Sequence, residues 1–267
     1  TQAQTGAKPF FALTSVPELA PFEKISDISS RFYEDYTDTL IPSDKYGKLY
    51  PYIGKVNGSG DMFETEYYYG LCTKDGKIVV DPVYSGAYIL TGSKNGSIGE
   101  DVELLQLYKQ DTSGIDLDDE ETMWNIPSTA SVAAIDGSWV ISASNAYISS
   151  AREDRIVVSA YDSNLNVYIS NVYDMDGNIV FENREGEVGG YYEGLASLTY
   201  PSSETDVYGN NILYTSYIDK EGNIAIEGPF AQGYDFSCGV AVVQDIDSGM
   251  CGVINTKGEY VISPSFV

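Results

Sequence analysis

Gly70-Leu71-Cys72-Thr73-Lys74-Asp75-Gly76-Lys77-Ile78-Val79-Val80-Asp81-Pro82-Val83-Tyr84 aligns without a gap with Gly252-Val253-Ile254-Asn255-Thr256-Lys257-Gly258-Glu259-Tyr260-Val261-Ile262-Ser263-Pro264-Ser265-Phe266. Both stretches hold a glycine, two apolar residues, a polar turn with a second glycine, an apolar triplet, a proline and an aromatic residue. Glycine supplies the positive φ that a tight hairpin turn needs, so the pattern predicts two strands joined by a short turn. The proline is expected to end the second strand, because it has no amide to give the ladder.

Working outward, the pattern recurs. Ser216-Tyr217-Ile218-Asp219-Lys220-Glu221-Gly222-Asn223-Ile224-Ala225-Ile226 is a third copy, ending in Pro229-Phe230 after one apparent extra residue. Val172-Tyr173-Asp174-Met175-Asp176-Gly177-Asn178-Ile179-Val180-Phe181 is a fourth, without the proline, and Ala134–Ile141 is a weaker fifth. Turn glycines 137, 177, 222 and 258 lie 40, 45 and 36 residues apart, and 61 residues separate Gly76 from Gly137. Repeats of about 40 residues are the mark of repeat architectures. A further strand follows some hairpins: Glu193-Gly194-Leu195-Ala196-Ser197-Leu198 aligns with Cys238-Gly239-Val240-Ala241-Val242-Val243, with Tyr192 and Phe236 as the preceding aromatics.

These residues resemble the WG (KWG) repeat family of bacterial proteins. The likeness covers roughly residues 67–267, and the Trp-Gly pair that gives the family its name is replaced, by Leu71 after Gly70 and Cys251 before Gly252. The resemblance implies an all-β, propeller-like array of antiparallel hairpin repeats, often on secreted or surface proteins, and brings no catalytic residue with it. The strands point the same way: Ile78-Val79-Val80 and Tyr260-Val261-Ile262 are apolar on both faces, as expected where sheet stacks on sheet. The expected organisation is an N-terminal arm over 1–40, irregular or with a short helix, followed by a repeat domain over 41–267. That domain would hold five or six units, with an acidic insertion at 109–130. The last copy looks cut short after two strands, which N-terminal strands would complete by closing a ring; a linear stack of hairpins is the alternative.

Composition narrows the function. The chain has 267 residues, with 40 acidic against 15 basic side chains, a net charge of −25. Such a surface repels phosphate backbones, so nucleic acid is excluded as a partner, and no apolar run is long enough for a transmembrane helix. Histidine is absent, which removes histidine-based triads and metal ligands. Three cysteines, Cys72, Cys238 and Cys251, leave open one disulfide with a free thiol or three buried thiols; Cys72 falls on an apolar strand position. The small, polar start Thr1–Gly6 reads like a mature or trimmed terminus. With the family resemblance, which implies it, an extracellular or cell-surface bacterial location is expected.

The site candidates are few. Asp162, Asn164 and Asn166 have the spacing of a calcium loop, and Asp174 and Asp176 stand two apart; turn chemistry explains both sets as well. The run Asp116–Glu121 reads as a solvated insertion. Tyr67, Tyr68, Tyr191 and Tyr192 are the candidate aromatic platform for a sugar or peptide. No catalytic motif or cofactor signature is present, calcium being the one cofactor in question. The sequence thus points to a non-enzymatic binding or scaffold module with a protein or glycan ligand. A propeller-type glycan hydrolase using paired carboxylates and a calcium-stabilised spacer are the alternatives.

Overall fold

The computed structural model describes residues 42–43, 47–57, 66–73, 76–90, 104–112, 126–134, 139–163 and 165–267. The N-terminal arm and the acidic run Asp116–Glu121 lie outside these. The described residues are all-β and every strand pair is antiparallel. They divide into two compact units, one holding the first two sheets and the other, residues 147–267, the remaining strands.

Each sheet is a meander. The first is β1 (Pro42–Ser43), β2 (Gly47–Asn57), β3 (Glu66–Thr73) and β4 (Ile78–Tyr84). The second is β5 (Gly86–Leu90), β6 (Leu104–Gln110), β7 (Ser128–Ala134) and β8 (Trp139–Ser144). The third is β9 (Tyr147–Arg152), β10 (Arg155–Asp162), β11 (Val167–Tyr173) and β12 (Ile179–Glu185). A seven-stranded sheet follows: β13 (Glu187–Val188), β14 (Ala196–Thr205), β15 (Asn211–Ile218), β16 (Ile224–Gly233), β17 (Val240–Asp245), β18 (Cys251–Asn255) and β19 (Tyr260–Phe266). It is two meanders that share a strand. The first part of β16 pairs with β15 and its end, from Phe230, pairs with β17. Five four-stranded units result, one for each turn glycine.

Two expectations about the repeat are corrected here. The last unit is complete, because the repeat begins two strands before the hairpin: the end of β16 and β17 are its first strands. β19 pairs with β18 alone, and no pairing among the described strands closes a ring. The prolines do not end their strands either. Pro82, Pro229 and Pro264 lie inside β4, β16 and β19. Leu71 pairs with Val80 and Tyr69 with Tyr84, so Gly70 faces the three residues 81–83 in a bulge. Tyr217 with Ile226 and Thr215 with Phe230 repeat that register, as do Val253 with Ile262 and Cys251 with Phe266. An amide inside a bulge is off the ladder, which is where proline fits. The third copy therefore has no extra residue. Gly228 stands at the usual proline position, and Phe230 keeps the register of Tyr84 and Phe266.

The bulge explains the repeat's first glycine. A Cβ on Gly70 would sit 2.3 Å from the Val80 carbonyl oxygen, and one on Gly252 2.9 Å from that of Ile262. Where another residue takes the place, its side chain serves the bulge instead. Ser216 Oγ accepts from the Gly228 amide at 3.1 Å, and Asn171 Oδ1 from the Asn183 amide at 2.7 Å.

Between neighbouring units in residues 147–267 the core is built by one rule. Tyr217, Ile226 and Phe230 of one unit meet Phe236, Ala241, Val243 and Ile254 of the next. Val157 and Val172 meet Tyr191, Ala196, Leu198 and Ile218 in the same way. Tyr191, rather than Tyr192, is the counterpart of Phe236. Both are buried, and both stand two residues before a turn of left-handed residues, Glu193-Gly194 and Cys238-Gly239. Glu153-Asp154 is the same turn one unit earlier.

Candidate functional site

Each unit has one constant edge and one variable edge. On the constant edge the hairpin between the third and fourth strands always encloses five residues, between Cys72 and Ile78, Ala133 and Trp139, Tyr173 and Ile179, Ile218 and Ile224, and Ile254 and Tyr260. In the last three units the Asx residue that opens the turn closes it chemically. Asp174 Oδ1 accepts from the amides of Asp176 at 3.0 Å and Asn178 at 2.8 Å, while Asn178 Nδ2 donates to Asp174 Oδ2. Asp219 with Asn223 repeats the arrangement; Asn255 Oδ1 likewise accepts from the Glu259 amide, but its Nδ2 donates to Glu259 Oε2, reversing the side-chain bond. Burial pushes the Asp174 carboxyl up, but the Asn178 side chain and the two amides outweigh it and hold the group below its ordinary value. Two of the five candidate calcium ligands, Asp174 and Asp176, thus belong to a turn that satisfies itself.

Of the other three, Asp162 and Asn166 lie at the β10–β11 hairpin. Asp162 is buried at the end of β10 and its Oδ1 accepts from the Leu165 amide at 3.2 Å. Asn166 has a positive φ and accepts from the Tyr161 hydroxyl; Asn164 lies outside the described residues. Among the described residues no three of Cys, Asp and Glu converge as a metal cluster would require.

The candidate tyrosines differ in their surroundings. Tyr191 is fully buried and its hydroxyl donates to the Asp219 carbonyl at 3.2 Å. Tyr192 is already stacked, with the Arg152 guanidinium 4.1 Å above its ring. Tyr67 and Tyr68 are consecutive residues of β3, paired with Val56 and Lys55, and the side chain of Tyr67 lies outside the description. None of the three cysteines is in a disulfide. Cys72 is buried, as its strand position implies, Cys251 is partly covered and Cys238 is exposed.

The variable edge joins the second and third strands, and here the units differ. Measured from equivalent register positions at the base of each hairpin, Ala241 with Ile254, Ile156 with Tyr173 and Ala196 with Ile218, the hairpins enclose 12, 16 and 21 residues. In residues 147–267 two of these hairpins, β10–β11 and β14–β15, lie side by side and a cleft opens between them. It has a volume of about 190 Å³ and is walled by Tyr161, Tyr168, Pro201 and Leu213, with Asn166, Asn211 and Glu187 among its polar groups. Tyr161 and Tyr168 meet edge to face, with centroids 5.2 Å apart, and both rings stay exposed. Behind them Tyr147 packs on Tyr168 at 6.2 Å and donates to Glu187 Oε1 at 3.0 Å. Burial, then the Glu187 charge and hydrogen bond, push the Tyr147 hydroxyl far above its ordinary value, so it stays a donor at any physiological pH. Sequence reasoning missed this site because it weighed adjacent tyrosines. Tyr161 and Tyr168 come together only through the hairpin register, which pairs them directly.

A second, wider cleft of about 500 Å³ shares Pro201 and holds Arg184, Glu185, Tyr200, Ser216 and Glu227. Two of its polar side chains are already engaged in the fold. Arg184 donates to the Gly222 carbonyl, and Ser216 Oγ serves the bulge and lies 3.3 Å from the Tyr200 hydroxyl. Glu185 and Glu227 are both exposed.

Compared with known proteins, residues 69–92 and 216–246 match the family model of the WG containing repeat. Both matches run from the third strand of one unit across the corner into the next. No curated protein matches the chain. Among the described residues no helix is long and apolar enough to cross a membrane.

Proposed function

We propose, for a chain that carries WG-containing repeats, a non-enzymatic binding module of a secreted or surface-attached bacterial protein. The observation that carries this reading is the contrast between the two edges. In the last three units the constant edge is closed by self-satisfied turns. The variable edge changes length from unit to unit and holds an aromatic cleft, and variable loops on a rigid scaffold are where recognition is generally placed. The acidic surface favours neutral or basic partners over anionic ones.

The test is thermal unfolding of the chain against cell-wall glycans, host glycans and basic peptides, with product analysis of the same mixtures. A rise of several degrees with one ligand and no product supports the reading, because a ligand that binds only the folded state stabilises it by mass action. Release of shortened glycan overturns it.

That second outcome belongs to the hydrolase reading, whose one supporting observation is the pair Glu185 and Glu227 in the wider cleft. Both carboxylates are exposed, whereas the two acids of such an enzyme flank the scissile bond across a cleft. Glu185→Gln with Glu227→Gln would abolish any such turnover. The calcium-spacer reading predicts a lower Tm on chelation; the self-closed Asp174 turn argues for no change.

A further inference from the structure

We propose that the cleft between the β10–β11 and β14–β15 hairpins takes a single uncharged sugar ring of a glycan; this rests on the binding-module reading above. Three features of the cleft lead to that ligand class.

The first is size. Clefts for drug-sized ligands run to about 300–1,000 Å³, and this one measures about 190 Å³. It has room for one ring, with the rest of a chain continuing into solvent.

The second is the walls. Tyr161 is 50% exposed and Tyr168 37% exposed, so each keeps ring surface for a ligand. Their edge-to-face contact fixes two ring planes at 63° to one another. The C–H faces of a pyranose are apolar, and flat aromatic surfaces are what they pack on. Pro201 and Leu213 extend the apolar surface on the opposite hairpin.

The third is the polar rim. A sugar hydroxyl both donates and accepts, so a sugar site needs both kinds of partner within reach. The Asn166 Oδ1 is held by the Tyr161 hydroxyl, which leaves the Asn166 amide hydrogens as donors. Glu187 Oε1 is held by the Tyr147 hydroxyl, which leaves its other oxygen as an acceptor. Asn211 adds a second amide. Among the described residues the lining holds a carboxylate and no lysine or arginine, so a sulfated, phosphorylated or uronic-acid ring is disfavoured, on top of the net charge of −25.

The two positioning bonds have a common logic. Tyr161 fixes Asn166 and Tyr147 fixes Glu187, so the rim is set before a ligand arrives and less ordering is needed on binding.

The experiment is saturation-transfer difference NMR on the full chain with three probes: cellotriose, N,N′,N″-triacetylchitotriose and a proline-rich decapeptide. Tyr161→Ala, Tyr168→Ala and Asn166→Ala are run beside the unmodified chain. All three positions lie at an exposed hairpin, and circular dichroism checks that each variant folds. The expected result is transfer from the protein to ring C–H protons of one sugar. Its affinity falls at least tenfold in both tyrosine variants, and less in Asn166→Ala. No transfer to either sugar overturns the proposal, and so does a sugar signal that survives both tyrosine variants. Transfer to the decapeptide alone overturns the sugar class while the binding-module reading stands. Shortening of a sugar during the measurement overturns the binding-module reading itself.

Discussion

Glu153 shows how much one side chain can hold together. It is buried, and its two carboxylate oxygens accept from the amides of Glu193 at 2.7 Å and Gly194 at 2.8 Å, the turn of the next unit. Lys220 Nζ stands 3.5 Å away. Glu193 then does the same for the unit after, accepting from the Gly239 amide at 2.8 Å. Glu153→Ala strips two amides of their acceptor and leaves Lys220 without its counter-charge. The expected loss is about 2–4 kcal/mol, read from urea or guanidinium unfolding. Glu153→Gln keeps one good acceptor and should fall between the variant and the parent; equal losses in the two would place the effect in the charge alone. The turn aspartates set a pH dependence. Hydrogen bonds from Asn178 and its neighbours hold Asp174 below 3.8 despite burial; the Asn210 amide does so for Asp206, and the Ser248 hydroxyl for Asp245. A carboxyl lowered by folding stabilises the native state above its unfolded value, and the gain is lost as pH falls through the folded one. Tm should therefore hold from neutrality to about pH 5 and then drop below about pH 4. Asp174→Asn combined with Asp206→Asn should lower the plateau and flatten the drop.

At the scale of the element, the bulged hairpin makes a graded prediction. An alanine Cβ at Gly70 would stand 2.3 Å from a backbone oxygen, at Gly252 2.9 Å. Neither oxygen moves without moving its strand. Gly70→Ala should cost several kcal/mol, about 3 or more, as overpacking does, and Gly252→Ala less. Denaturant midpoints rank the two, and equal midpoints would mean that the bulge is soft. The hairpin itself was legible: apolar triplets around a fixed glycine gave the strands, the turns and the buried place of Cys72. The bulge was not. Read locally, Pro82 looks like a strand terminator, because nothing in sequence shows that Tyr84 still pairs with Tyr69 beyond it. The frame of the repeat was hidden for a related reason. The strongest sequence signal is the tight turn, whereas the unit begins two strands earlier, at corners marked by Ser85, Gly186 or no interruption at all. The binding cleft was least legible. It depends on Tyr161 and Tyr168 pairing across a hairpin and on the length of the next hairpin, and neither leaves a periodic trace.

At the scale of the molecule, stability in a repeat array is nearly a sum of units and nearest-neighbour interfaces, and the last sheet offers a direct test. Ile226 is 5% exposed and Phe230 8%, because the following unit covers them. Their register counterparts Ile262 and Phe266 are 49% and 40% exposed. The turns repeat one packing rule: Gly222 sits against Phe181 of the unit before it, and Gly258 against Ile226 of the unit before it. The outer face of the last sheet thus carries the residues that a following unit would bury. Joining a copy of residues 231–266 directly after Phe266 puts each of its residues in the register that β16 to β19 already use. The added unit should fold on that face. Burying what is left exposed of the two side chains contributes about 2–3 kcal/mol, before the cost of ordering the new strands. Ile262→Asp separates docking from mere tethering. In the parent chain it is a surface substitution and should change stability by no more than about 0.5 kcal/mol. In the extended chain it places an unpaired carboxylate in an interface and should cost about 2 kcal/mol or more. Hydrogen exchange then reads the outcome strand by strand. Protection of the added strands that disappears with Ile262→Asp means that the interface rule alone is enough to extend the array. Added strands that exchange freely in both chains would mean that the buried Ile226 and Phe230 owe their cover to something specific to that one junction.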